Sequence, residues 1–206
     1  MEDRFISNMT FRVVLLGIRE IIGENGLKTV LNRVGLKKFA EALPPNNQEK
    51  NLCKASEVTL VDMGVVDIFG NNGASAVLFQ VGRMQAQWGL NENPDTAAAA
   101  KAAFSGLSSE FEMVKTAVEM TAAVLSAESD CKAWAEVDGE DLLYNIDEGT
   151  HCFNFKSENP VCFTTSGFIT SIVSWATGND TWLAQEESCM AMGAPYCTHR
   201  LSRRKD

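Results

Sequence analysis

At 206 residues, with 45% hydrophobic and 22% charged residues, the chain has the apolar content of one folded domain and not that of a disordered segment. A formal net charge of -9 and a pI near 4.8 argue against a general nucleic-acid surface. No basic stretch followed by an apolar one opens the chain, and the apolar run 13–22 is about half the roughly 20 residues a membrane span needs, so a cytoplasmic protein without a transmembrane segment is expected.

Phe11, Val14, Leu15, Ile18 and Ile22 recur at helical spacing and predict a helix over 10–22 that ends at Gly23. The pattern resumes at Leu27, Val30, Leu31 and Val34, and again from Leu36 to Leu43. Pro44-Pro45-Asn46-Asn47 then breaks it. A boundary belongs near this point, with a helical N-terminal extension over 1–50 and the main domain over 51–206. Helices are expected over 58–69, stopped by Gly70-Asn71-Asn72-Gly73, over 74–90, and in the alanine-rich piece 96–104. Between 107 and 125, Leu107, Phe111, Val114, Val118, Ala122 and Leu125 form one apolar stripe, offered to a core or to a partner helix.

After Glu128 the period falls to two. Residues 131–137 and 142–146 read as strands joined by an Asp138-Gly139 turn, and 152–155 as a third short strand. A helix over 168–176 ends at Gly178, and 181–187 and 196–201 are the last strand candidates. Helices first, then an antiparallel sheet with one embedded helix, make an α+β fold and not alternating βαβ.

Reduced thiols are the rule in the cytosol, so six cysteines do not argue for three disulfides. Four of them fall after residue 150. Cys189 and Cys197 flank Gly193 and Pro195, which must bend the chain, and two thiolates can thereby approach one tetrahedral metal. Cys162 is a third soft ligand and Glu186 a candidate fourth. Spacing alone leaves buried structural cysteines as the alternative.

The run Val161-Cys162-Phe163, the segment from Gly167 to Gly178, and Glu186-x-x-Cys189-x-Ala191-x-Gly193-x-Pro195-x-Cys197 closely resemble the vinyl-4-reductase domain. The resemblance extends upstream to Val81-Gly82-Arg83 and covers roughly residues 58–202. The N-terminal stretch, with Leu16-Gly17 and Pro44-Pro45, resembles the helical extension of stand-alone, hydrocarbon-binding members. What this implies is a fold shared with sensor modules of regulators that respond to aromatic compounds and with transport-protein-particle subunits, which pair through helices around an apolar pocket. It also implies a zinc site of one glutamate and three cysteines: Cys162, Glu186, Cys189 and Cys197. Glu186 and Cys189 are three apart, so a regular strand would place them on opposite faces; a bulge at Glu187-Ser188 is required, and Glu187 is a rival ligand.

Cys53, Cys131 and Cys152 match no ligand position and read as small buried hydrophobes. His151 reads as a surface turn histidine. Asp62, Asp67, Glu110, Glu112 and Glu119 read as solvated helix faces. No dinucleotide fingerprint supports a reductase, so the expected role is non-catalytic: a sensor or carrier of a small hydrophobic or aromatic ligand. Phe111, Trp134, Tyr144 and Phe163 are the expected pocket aromatics. A homodimer through the 107–125 stripe is expected, together with a protein partner if the domain signals. A tetrapyrrole carrier or photosystem assembly factor, and a protein-interaction scaffold, are the alternative readings.

Overall fold

A computed structural model describes residues 2–129 and 131–204. Two short strands, β1 (Phe5–Ile6) and β2 (Cys53–Lys54), pair antiparallel and return the chain to its N-terminus. Between them run α1 (Asn8–Arg33) and α2 (Lys37–Glu41). The Ser7 hydroxyl caps α1 by accepting the Thr10 N–H, and Gly23, at φ 78°, kinks it where the sequence predicts a stop. The helices expected over 58–69 and 74–90 are one element, α3 (Ala55–Glu92), bent at Gly70. A single residue at φ 67° turns the axis there, and no loop intervenes. Pro94 opens the next helix, α4 (Pro94–Phe104), because its missing N–H costs nothing at a first helical position.

Then come α5 (Glu110–Glu128), β3 (Lys132–Asp138), β4 (Asp141–Asp147), α6 (Phe163–Thr177), β5 (Trp182–Ser188) and β6 (Cys197–Arg203). The four long strands form one antiparallel sheet in the order β3-β4-β6-β5. The fold is α+β, a helical N-terminal part followed by a sheet packed on helices. The expected strand over 152–155 is instead a 3-10 turn (Thr150–Cys152) leading into a loop in which Asn154 takes a positive φ. Among the described residues, no helix is long and apolar enough to cross a membrane.

Two large apolar cores result, with a small third cluster of Phe104, Ala117 and Ala176. The first joins α1, α2 and α3 through residues such as Phe11, Ile18, Leu31, Val61 and Leu78. The second packs α5 and α6 on the inner sheet face through Val114, Val118, Tyr144, Ile169, Trp182 and Leu201. The 107–125 stripe is therefore spent inside this chain, since Val114 and Val118 are completely buried against its own sheet and α6. A two-fold contact through that stripe would unpack the second core. The outward side of α5 shows Met120 and Val124 instead.

The cores are tied by the crossing of α3 and α6. A Cβ on Gly82 would lie 1.9 Å from the Thr164 carbonyl oxygen, and one on Gly167 would lie 1.9 Å from that of Phe79. Only glycine at both positions lets the backbones meet. Arg200, Arg203, Arg204 and Lys205 form a basic cluster that reads in sequence as a solvated tail, but two of its arginines are engaged. Arg200 lies on the outer sheet face and binds Glu187, Asp138 at 2.8 Å and Asp141 at 3.1 Å, while Arg203 reaches Glu110. Lys205 lies outside the described residues.

Candidate metal centre

Strand register builds the site. Cys197 and His199 alternate inward on β6, and Glu186 lies opposite His199 on β5. After Glu186 the pairing slips, so that Ser188 meets Thr198; this is the bulge the Glu-x-x-Cys spacing requires. Cys189 consequently turns to the same side as Cys197. Between them the chain makes a 3-10 turn (Met190–Met192) that closes at Gly193, whose φ of 92° is one that L side chains rarely adopt. Cys162 arrives as the N-cap of α6, and Cys152 from the preceding 3-10 turn.

All four of these thiols are buried, none is in a disulfide, and their sulfurs lie within 4.8 Å of one another. Cys162 is 3.8 Å from Cys189 and 3.7 Å from Cys197, which is 3.7 Å from Cys189 and 3.4 Å from Cys152. Metal–sulfur bonds of about 2.3 Å in a tetrahedron imply sulfur separations of about 3.8 Å. Cys162, Cys189 and Cys197 hold that spacing pairwise, and Cys152 closes the group at 3.4 Å from Cys197. The Met190 N–H donates to Cys197 Sγ at 3.3 Å, a bond that stabilises a thiolate.

The electrostatics favour a shared negative charge. Hydrogen bonds from Cys152, Cys162 and Cys197 lower the pKa of Cys189, while the same sharing raises Cys162 and Cys197. Glu186 accepts the Cys162 N–H on Oε2 at 2.7 Å. Its Oε1 is buried without a partner among the described residues, and burial followed by the charge of Cys189 pushes its pKa up to about 8. Glu187 points outward to Arg200.

Sequence reasoning brings together Cys162, Glu186, Cys189 and Cys197 and omits Cys152. The omission follows from Cys152 matching no ligand position of the resembled domain; the clustering of four cysteines after residue 150 is the signal that includes it. The expected pocket aromatics do not converge. Phe111 packs on Trp182, their centroids 6.1 Å apart, and Tyr144 fills the second core. Phe163 packs against the first core. Trp134 alternates with Ala133 and Ala135, which pack on the second core, so it lies on the opposite sheet face, against Tyr196 at 4.8 Å. Among the described residues, clefts of about 630 Å³ between α3, α4 and α6 and of about 520 Å³ between α1, α3 and the 155–161 loop open elsewhere.

One acidic residue is also not where the sequence suggests. Asp62 is no solvated residue; it is fully buried on α3 and meets His151 Nδ1 at 2.6 Å. Burial raises its pKa and the nearby histidine opposes this. His199 is wholly buried, with Nδ1 2.9 Å from Ser166 Oγ, and desolvation lowers its pKa to about 3.

No family model matches the chain. A 61-residue stretch is 38% identical to uncharacterized protein MJ0855 of Methanocaldococcus jannaschii; it covers 29% of this chain and 26% of that protein. Among solved structures, an H-NOX protein from S. oneidensis in its Fe(II)NO state superposes with a TM-score of 0.57 at 11% identity, over 94% of this chain and 99% of that one. An unliganded Fe(II) H-NOX protein from K. algicida gives 0.56 at 10% identity over 98% of both chains. The phenol-responsive sensory domain of the transcription activator PoxR, solved with phenol, gives 0.51 at 20% identity over 77% of this chain and 78% of that one. At these identities the likeness concerns the fold alone.

The H-NOX likeness raises the question of a haem. Haem iron is held by histidine, a thiolate, tyrosine or methionine beside a slot for the macrocycle. His199 is packed among core side chains, His151 is engaged by Asp62, and neither borders the two clefts. The thiols face one another and not a slot. Neither histidine and none of the clustered thiols is placed to hold a haem beside either cleft.

Proposed function

We propose that the chain is a non-catalytic small-molecule-binding domain, a sensor or carrier, whose C-terminal half is organised by a zinc ion on cysteine thiolates. The carrying observation is the group of four buried sulfurs, three of them at the pairwise spacing of a tetrahedral site. Zinc suits four soft thiolates without a geometric demand of its own, and a dry, closed set of ligands is the form of a structural site. The resemblance to vinyl-4-reductase domains supports three of the ligands, Cys162, Cys189 and Cys197, and adds Glu186. In this chain the sulfur geometry favours Cys152 as the fourth ligand. Glu186 would then act from outside, holding Cys162 through its backbone N–H. The boundary near residue 50 and a homodimer belong to the same reading, the dimer through a surface other than the inward stripe of α5.

Metal analysis with native mass spectrometry tests the proposal. About one zinc per chain is expected, as for a tetrahedral structural site. Cys152→Ser should lose most of the metal, whereas Glu186→Gln should retain it at reduced affinity, by about 10–100-fold for an outer partner. Metal retained by Cys152→Ser and lost by Glu186→Gln would restore the three-cysteine, one-glutamate set. A metal-free protein whose melting ignores a chelator would remove the zinc reading altogether.

A further inference from the structure

The 630 Å³ cleft lies away from the thiol group, and its size is that of a small-molecule site. It adjoins the glycine crossing of α3 and α6. Arg83 follows Gly82, and Gln87 and Leu90 continue the same side of α3. From α6, Ser171, Ser174 and Trp175 complete the wall. Three of its features concern charge and polarity. The guanidinium of Arg83 has its ion-pair partner, the exposed Asp180, only at 4.0 Å, a distance at which a surface pair contributes little. The Ser174 hydroxyl oxygen is buried with no hydrogen-bond partner among the described residues, an arrangement that costs free energy until something supplies one. The N-terminus of α4 also opens here without a side-chain cap, and its positive end favours an anion, though Asp95 in its first turn offsets part of this.

The apolar side is equally defined. Trp175 is half-buried and fixed by an edge contact with Phe104 at 5.7 Å, and Leu90 lies across the cleft on α3. The Lys101 ammonium stands 5.5 Å from the Trp175 ring centroid, adding positive charge beside the cleft of a chain whose net charge is -9. A guanidinium fork with neighbouring hydroxyls matches a carboxylate, and an indole beside an aliphatic side chain matches a flat ring.

We propose that the cleft between α3, α4 and α6 binds a small planar carboxylate, with the carboxylate on Arg83 and the Ser171 and Ser174 hydroxyls and the ring against Trp175 and Leu90. This rests on the reading of the chain as a small-molecule-binding domain and names its ligand class. The test uses the full chain, with 2-naphthoate and neutral 2-naphthol titrated calorimetrically and by tryptophan fluorescence. Naphthoate should bind at least tenfold more tightly than naphthol. Arg83→Gln should abolish that preference, Ser174→Ala should weaken naphthoate several-fold at an unchanged or raised melting temperature, and Trp175→Phe should remove the fluorescence change. Equal binding of the two probes, or naphthoate binding unaltered in Arg83→Gln and Ser174→Ala, would overturn the site and leave a small-molecule domain with its pocket elsewhere. Failure of both probes at millimolar concentration would overturn the site as well, while metal content, measured separately, still decides the zinc half of the function.

Discussion

Asp62 shows how burial sets the behaviour of a single residue. Its carboxylate is removed from water on α3, and His151, 2.6 Å away, compensates only in part, so the folded-state pKa stands above the ordinary carboxylate value near 3.9. The sign of the consequence follows from proton counting. Between the unfolded value and the raised folded one, the native chain holds a proton the unfolded chain has lost, so the contribution of this group to stability is full below that window and falls as pH rises through it. Asp62→Asn cannot titrate, and the stability difference between wild type and variant should shrink, or move in favour of the variant, as pH rises across the window. Denaturant melts at stepped pH measure it. A difference that grows with pH would mean that the ion pair with His151 outweighs desolvation. The sequence does not reveal this pair, because Asp62 and His151 are 89 residues apart and a helix acid reads as solvated by default.

At the scale of elements, the α3–α6 crossing ties the two large cores together and borders the larger cleft. Periodicity makes the individual helices legible, as the matches at α1, α4 and α5 show, but it carries no information on which helices touch. Gly82 and Gly167 do carry it: each is a position where a side chain would occupy the space of a backbone carbonyl in the other helix. Gly82→Ala and Gly167→Ala should each cost about 3 kcal/mol or more, the upper end of what overpacking costs, because backbone and not a flexible side chain must give way. Gly89→Ala, on the same helix with open space around it, is the control and should change stability little or raise it. Thermal or urea unfolding of the three variants reads the result, and equal effects at all three would sink the argument from the crossing. The same limit explains why sequence leaves the stripe of α5 open between a core and a partner helix. Val114 and Val118 look alike in sequence whether they meet a second copy or the chain's own sheet, and only the later strands decide it.

Seen as a whole, the molecule has two cores of different character. The first, around α1 and α3, contains none of the four clustered thiols; the second contains all of them, drawn from the 3-10 turn, the start of α6 and the last two strands. This segregation was partly readable, since the cysteines crowd into the last third of the chain and the Glu-x-x-Cys spacing demands the bulge that β5 has. What sequence could not supply was the 3-10 turn that aims Cys152, a local geometry with no hydrophobic period to announce it. If metal binding is part of the folding free energy, its loss should act on the second core first. The loop 153–161 has a cluster cysteine at each end, and its middle is tied to the 3-10 turn after Cys189 by the Ser157 N–H on the Ala191 carbonyl. Chelation should therefore raise amide exchange at 153–161, at the start of α6 and in β5 and β6, while the amides of α1 buried around Phe11, Leu15 and Ile18 stay protected. Hydrogen exchange followed by peptide mass spectrometry resolves these segments. Uniform loss of protection across both cores would show one cooperative unit in which α3 transmits the change, and exchange unaltered by chelation would leave the thiols as packing alone.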